Sequence, residues 1–145
     1  MRHFLSVLPL VLLAGCSSFR PDAEHITPVP GDRVLAYQED QQNGGRLVVN
    51  RDMGLMGGGC YVAIEVDRKV AARIGVGEVA TFQVPPGTRV VGITPDRMDD
   101  TLCGMGRLHK EVAVKVAPGS TQYFHIVSEN RGGFDIRPDD KPPQP

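Results

Sequence analysis

Asp96, Asp99 and Asp100, the histidines His109 and His125, and the run Gly75-Val76-Gly77-Glu78-Val79-Ala80 are the residues whose types and spacing could do chemistry. The glycine run matches G-x-G-x-x-A, which binds dinucleotides only where it follows a strand and opens a helix, so that helix amides meet the pyrophosphate. Here Val79 to Val84 alternates in polarity with period two, the pattern of a strand. The run is therefore expected to be a turn. A hard-cation loop wants alternating oxygen ligands and usually a bidentate Glu, and Asp99-Asp100 lacks that spacing. A glycosidase needs two carboxylates facing a sugar cleft. The three aspartates are expected in a solvated loop. His109 and His125 form neither H-x-x-H nor H-E-x-x-H, and no Ser stands in a nucleophile elbow. His125 is expected on the solvent face of its strand. The expectation is a protein without catalytic residues, cofactor or bound metal.

The cysteines say more. Cys16 closes Leu13-Ala14-Gly15-Cys16, after an apolar run from Phe4 to Leu13 and a start that contains Arg2 and His3. A basic start, an apolar stretch of about ten residues and small residues before a cut make a secretory signal. The stretch is too short to span a bilayer core, which needs roughly 20 apolar residues. The box resembles that of bacterial lipoprotein precursors. The resemblance implies that Cys16 is diacylated on sulfur, cut free at its amino side and becomes the first residue of the mature chain. Ser17 after it, rather than Asp, implies the outer membrane, facing the periplasm. Plain secretion, with Ala14 in an A-x-A-like site, is the competing reading. Two or more acyl chains anchor stably where one does so only marginally.

With Cys16 assigned to lipid, Cys60 and Cys103 remain in an oxidising compartment, where disulfides form and persist. An even remainder in an exported domain usually pairs, and a bridge is expected in preference to two separately buried thiols. Met53, Met56 and Met105 flank these cysteines in MGLMGGGC and CGMG. Thioethers bind Cu(I), so a periplasmic copper-binding protein is an alternative, as is a small periplasmic enzyme. A Cys60–Cys103 bridge would remove the thiolates from any copper site.

Removing residues 1–15 of the 145 leaves 130, enough for one domain. The net charge of −1 shows no basic footprint for nucleic acid. The 17 Gly and 12 Pro stay below the share that signals disorder, and at 41% hydrophobic a packed core can form. The absence of Trp leaves little for a sugar-stacking platform. Residues 16–32, with three prolines and scattered charge, read as a flexible tether from the lipidated cysteine. Every later periodic stretch has period two: Val34–Tyr37, Arg46–Asn50, Cys60–Val66, Val79–Val84, Arg89–Ile93, Glu111–Val116, Thr121–Val127 and Phe134–Ile136. In the third, Cys60, Val62, Ile64 and Val66 share one face. Turn signals such as Asn43-Gly44-Gly45, Pro85-Pro86-Gly87 and Pro118-Gly119 separate these stretches. They predict a mainly β fold, a small antiparallel β-sandwich of seven or eight short strands over 33–137, with a disordered tail over 138–145.

Val62-Ala63-Ile64-Glu65-Val66-Asp67, Lys69-Val70-Ala71 and Phe82-Gln83-Val84-Pro85-Pro86-Gly87-Thr88 resemble the PEGA-type surface domain and a related uncharacterised lipoprotein domain. Val116-Ala117-Pro118-Gly119-Ser120-Thr121-Gln122-Tyr123-Phe124 is similar to that family's closing hairpin. The similarity covers about Arg46 to Val127 and lies in turn chemistry. It implies a small β-sandwich without known catalytic activity. Arg89 stands near the place where the family often has a His.

A Cys60–Cys103 bridge would pin the Gly54–Gly59 loop to the Thr94–Gly106 loop at one end of the sandwich. It would bring Met53, Leu55, Met56, Leu102 and Met105 into one neighbourhood. Loops on a rigid scaffold commonly carry binding, and methionines suit an adaptable apolar contact. This end is a candidate contact for another envelope protein or a glycan; the competing reading is that these side chains fold back onto the open end of the core. The membrane is expected as a partner through the lipid anchor alone.

Overall fold

The computed structural model describes residues 18–54, 59–129 and 133–140. Cys16, Leu55 and Met56 lie outside them. In chain order the strands are β1 (Thr27–Pro28), β2 (Gly45–Arg51), β3 (Val62–Val66), β4 (Lys69–Ile74), β5 (Glu78–Val84), β6 (Gly87–Pro95), β7 (Lys110–Val116), β8 (Thr121–Glu129) and β9 (Gly133–Pro138). Short 3-10 turns occupy Ala23–His25, Gly31–Arg33 and Leu102–Met105.

The strands form two sheets, one in the order β1-β5-β2-β8-β9 and the other β4-β3-β6-β7, which make the expected sandwich. Period-two alternation builds its core. Leu47 and Val49 of β2, Phe82 and Val84 of β5, and Phe124 and Ile126 of β8 are buried from one sheet. Val62, Ile64 and Val66 of β3, Ile74 of β4, and Val91 and Ile93 of β6 meet them from the other. A fully buried side chain of this kind contributes about 1.5–3 kcal/mol of transfer free energy. The β3–β4 hairpin turns at Asp67 and Arg68, both at positive φ, the backbone twist that two-residue hairpins favour. Asp67 fixes the turn by accepting from the Val90 amide at 3.0 Å and Arg89 Nη1 at 2.9 Å. The Gly75–Ala80 run is a turn into β5, as expected, with Gly77 at φ +72°.

Four expectations need correction. The sandwich is not antiparallel throughout, since β1 pairs with β5 and β2 with β8 in parallel. The chain leaves β7 in one sheet and crosses through Ala117–Ser120 to start β8 in the other. There Arg46 N donates to Ser120 O, so β2 and β8 begin at the same end. Val34–Tyr37 is not a strand. The Leu35 and Ala36 amides both bond to Ala71 O on β4, while Tyr37 O accepts from Gln83 N on β5. Tyr37 itself has φ 60°. This stretch straps the open side between β4 and β5, where unpaired strand edges would otherwise invite pairing with another chain.

The tether is the third correction. From Ser18 onward it belongs to the domain: β1 pairs with β5, Val29 enters the core and Arg33 is buried. Val29 gains apolar burial and its amide bonds to Val79 O, which outweighs the polar composition around it. Lastly, the tail remains docked at Asp139, which is buried and pairs with Arg20. Residues 141–145 lie outside the described residues.

Candidate functional site

One end of the sandwich gathers most of the residues singled out in the sequence. The C-terminal ends of β2, β4, β6 and β8 reach it, with the starts of β3, β5, β7 and β9. Cys60 and Cys103 are bridged there, with Cα atoms 5.4 Å apart. The bridge ties the approach to β3 to the Leu102–Met105 turn in the β6–β7 loop. Thr101 opens that turn, its Oγ1 accepting from the Cys103 amide at 3.3 Å. Arg97 Nη1 donates to Gly104 O at 2.6 Å and Nη2 to Gly106 O at 3.2 Å. Only glycine fits at 104, because a Cβ there would overlap Asp99 O and crowd Asp96 O. The turn is thus cross-linked, capped and clamped, and its large side chains, Leu102 and Met105, project into solvent.

A layer of charge supports this turn. Asp96 is buried and takes a fork from Arg73, with Nη2 to Oδ2 at 2.7 Å and Nε to Oδ1 at 3.0 Å. This corrects the expectation of a solvated loop for Asp96, whose desolvation is offset by the guanidinium. Asp99 is half-buried and Asp100 exposed. Arg33 forks onto Glu78, with Nη1 to Oε2 at 2.7 Å, and donates to Arg73 O at 2.9 Å. Both guanidiniums stack on Tyr61, at 4.2 Å for Arg33 and 5.3 Å for Arg73. Burial opposes ionisation of Glu78. The hydrogen bonds from Arg33 and the Gly75 amide, with the charges of Arg33 and Arg51, outweigh it and hold the carboxyl below its ordinary value.

Arg51 joins the two sheets at this end. Its guanidinium is fully buried and donates to Cys60 O at 2.7 Å and Ile74 O at 2.9 Å, over the Phe134 ring at 4.9 Å. Desolvation lowers its pKa to about 10 against the pull of Glu78, so it remains charged at neutral pH.

The N-terminal segment closes the same end. Ser18 Oγ accepts from the Ser128 amide at 2.9 Å, Phe19 and Met53 exchange both backbone bonds at 2.8 and 2.9 Å, and Arg20 forks onto Asp139. Nearby, His125 lies half-buried with Nδ1 3.5 Å from Asp52 Oδ2. Among the described residues neither His125 Nδ1 nor Asn50 Oδ1 has a hydrogen-bond partner. At the other histidine, Glu111 is shared between Arg68 and His109, the latter at 3.2 Å.

Leu102 and Met105 are exposed on the turn that the bridge anchors. Met53 turns toward Gly77, its Sδ 2.8 Å from where a Gly77 Cβ would stand. Leu55 and Met56 lie outside the described residues. Sequence reasoning missed Arg33, Arg51, Arg73 and the Ser18–Arg20 clamp. For Arg51 a signal existed, since the alternation that turns Leu47 and Val49 inward carries the next alternate residue with them. No family model and no curated protein matches this chain.

Proposed function

We propose that this protein is a bacterial envelope lipoprotein. It is exported, acylated at Cys16 and held at the outer membrane facing the periplasm, where it displays a non-catalytic β-sandwich as a binding or structural module. The observation that carries the reading is the use of the three cysteines. Cys60 and Cys103 are spent on a structural bridge of the kind that persists in oxidising compartments. That leaves Cys16, at the foot of the export signal, as the thiol open to lipid. The bridge also withdraws both thiolates from copper, which weighs against the copper-carrier alternative.

The acidic and basic side chains gathered at the disulfide end support a structural role. Asp96, Glu78, Arg33 and Arg73 satisfy one another in bidentate pairs instead of facing a cleft. The contact surface of the module is the projecting Leu102–Met105 turn, held rigid by that network. Kinship with PEGA-type surface domains belongs to the same proposal, and rests on the Pro85-Pro86-Gly87 and Pro118-Gly119 turns.

Replacing Cys16 with Ser tests the reading, because acyl chains supply the membrane affinity. Among the described residues no helix is long and apolar enough to cross a membrane in their place. The expected result is that wild-type protein enters the detergent phase and Cys16→Ser accumulates unprocessed or in the aqueous phase. Equal partitioning of the two would refute it.

A further inference from the structure

We infer that the disulfide end of the sandwich rests against the bilayer, with Phe19, Met98, Leu102 and Met105 seated in the interfacial region. The inference rests on the reading of Cys16 as acylated and names the partner of the same contact surface.

Chain length carries the argument. Only Ser17 separates Cys16 from Ser18. Two steps of backbone span at most about 7 Å. Ser18 has no slack of its own, since it exchanges bonds with Ser128, followed by the two-way Phe19–Met53 bridge and the Arg20–Asp139 fork. An acylated Cys16 sits at headgroup depth, so the end of the domain that holds Ser18 is brought to within about one turn of chain of the headgroups. A flexible tether of 17 residues would have left orientation free. This clamp does not.

The same end carries the four most exposed large apolar side chains among the described residues; Leu35, 42% exposed, lies away from it beside Ala71. Phe19 is 62% exposed, Met98 62%, Leu102 84% and Met105 71%. Three of them fall within eight residues of one loop, which is more than the scattered single exposures normal for a soluble surface. The loop is already fixed by the Cys60–Cys103 bridge, the Arg73–Asp96 fork and the Arg97 bonds, so little ordering entropy opposes insertion. Charges beside it are of both signs, with Arg97, Arg107 and Lys110 against Asp99 and Asp100. The attraction is therefore apolar, without dependence on anionic lipid. Thr88, near the far end of β6, pairs with Lys115 and is exposed. A strand of this length, at roughly 3.3 Å per residue, holds it some 20 Å or more further from the membrane.

The chain contains no Trp. A single introduced indole is therefore an unambiguous depth probe. Full-length acylated protein carrying Leu102→Trp or Thr88→Trp is reconstituted into phosphatidylcholine vesicles with brominated acyl chains, and flotation is read on the same samples. The expected result is a blue-shifted Leu102→Trp emission, quenched roughly twofold or more by the brominated chains, with Thr88→Trp unshifted and unquenched. Replacing a fifth of the lipid by an anionic one should leave both unchanged. If the protein floats with the vesicles but Leu102→Trp emits as in water, the inference is overturned while the lipoprotein reading stands, and the turn is left to a protein partner. Equal quenching at both positions also overturns it. Failure to float overturns the reading on which it rests.

Discussion

Arg33→Met would test whether the N-terminal segment is part of the fold. Arg33 ties the strap to β4 through Arg73 O and to β5 through Glu78, with the side chains of the pair 10% and 14% exposed. Breaking a buried pair by removing one partner costs about 3–5 kcal/mol, because the remaining charge is left uncompensated. Glu78 keeps the Gly75 amide at 2.6 Å and some access to water, so the low end, about 3 kcal/mol, is expected at neutral pH. The cost must also depend on pH. With its carboxyl held below the ordinary value, Glu78 contributes stability that is fully present above that value and lost as pH falls through the folded one. The hydrogen bonds with Glu78 raise the Arg33 pKa, so Arg33 stays charged throughout this window. The difference between wild type and Arg33→Met should therefore shrink as Glu78 is protonated. Urea unfolding of both proteins at stepped pH, disulfide intact, with Glu78→Gln closing the cycle, measures this. A neutral-pH cost below about 1 kcal/mol, or one independent of pH, would refute the reasoning.

Other outcomes follow from the same contacts. Replacing Cys60 and Cys103 together by Ser opens a loop of sequence separation 43 and should cost about 4 kcal/mol by chain entropy, seen as a melting point lowered by well over ten degrees with the β circular-dichroism signal retained when cold. A fall of only a few degrees would contradict it. Asp96→Asn keeps the shape and removes the charge beneath Arg73, and should lose about 2 kcal/mol in denaturant unfolding. Gly77→Ala forces a side chain onto φ +72° with Met53 Sδ 2.8 Å away, and should destabilise by about 1–3 kcal/mol. A Gly77→Ala protein as stable as wild type would show that the Met53 contact gives way freely.

How much of this could be read from the residues differs by element. The sandwich was legible because Cys60–Val66 and Val79–Val84 alternate with period two, and alternation is a local consequence of one buried face. The Cys60–Cys103 bridge was legible from cysteine parity. The docking of the N-terminal segment was not, because Thr27–Pro28 and Val29 sit in a proline-rich stretch whose composition looks solvated. Only a β5 edge some 50 residues later gives it partners. The parallel β2–β8 pairing was hidden for a similar reason, since a crossover between sheets leaves no mark on the strands it joins. At the candidate site, Leu102 and Met105 were legible as loop apolar residues. The Arg33–Glu78 and Arg73–Asp96 forks join residues 45 and 23 positions apart, and charge spacing along a chain does not reveal such pairs.

The central claim, that Cys16 carries the lipid that holds this domain at the membrane, is tested most directly by the mass of the N-terminal peptide from protein extracted from the envelope. The predicted result is a peptide that begins at Cys16 and carries a thioether-linked diacylglyceryl group, with Cys60 and Cys103 recovered as one disulfide-linked pair. An unmodified Cys16, or a mature chain that begins at another residue, would contradict it.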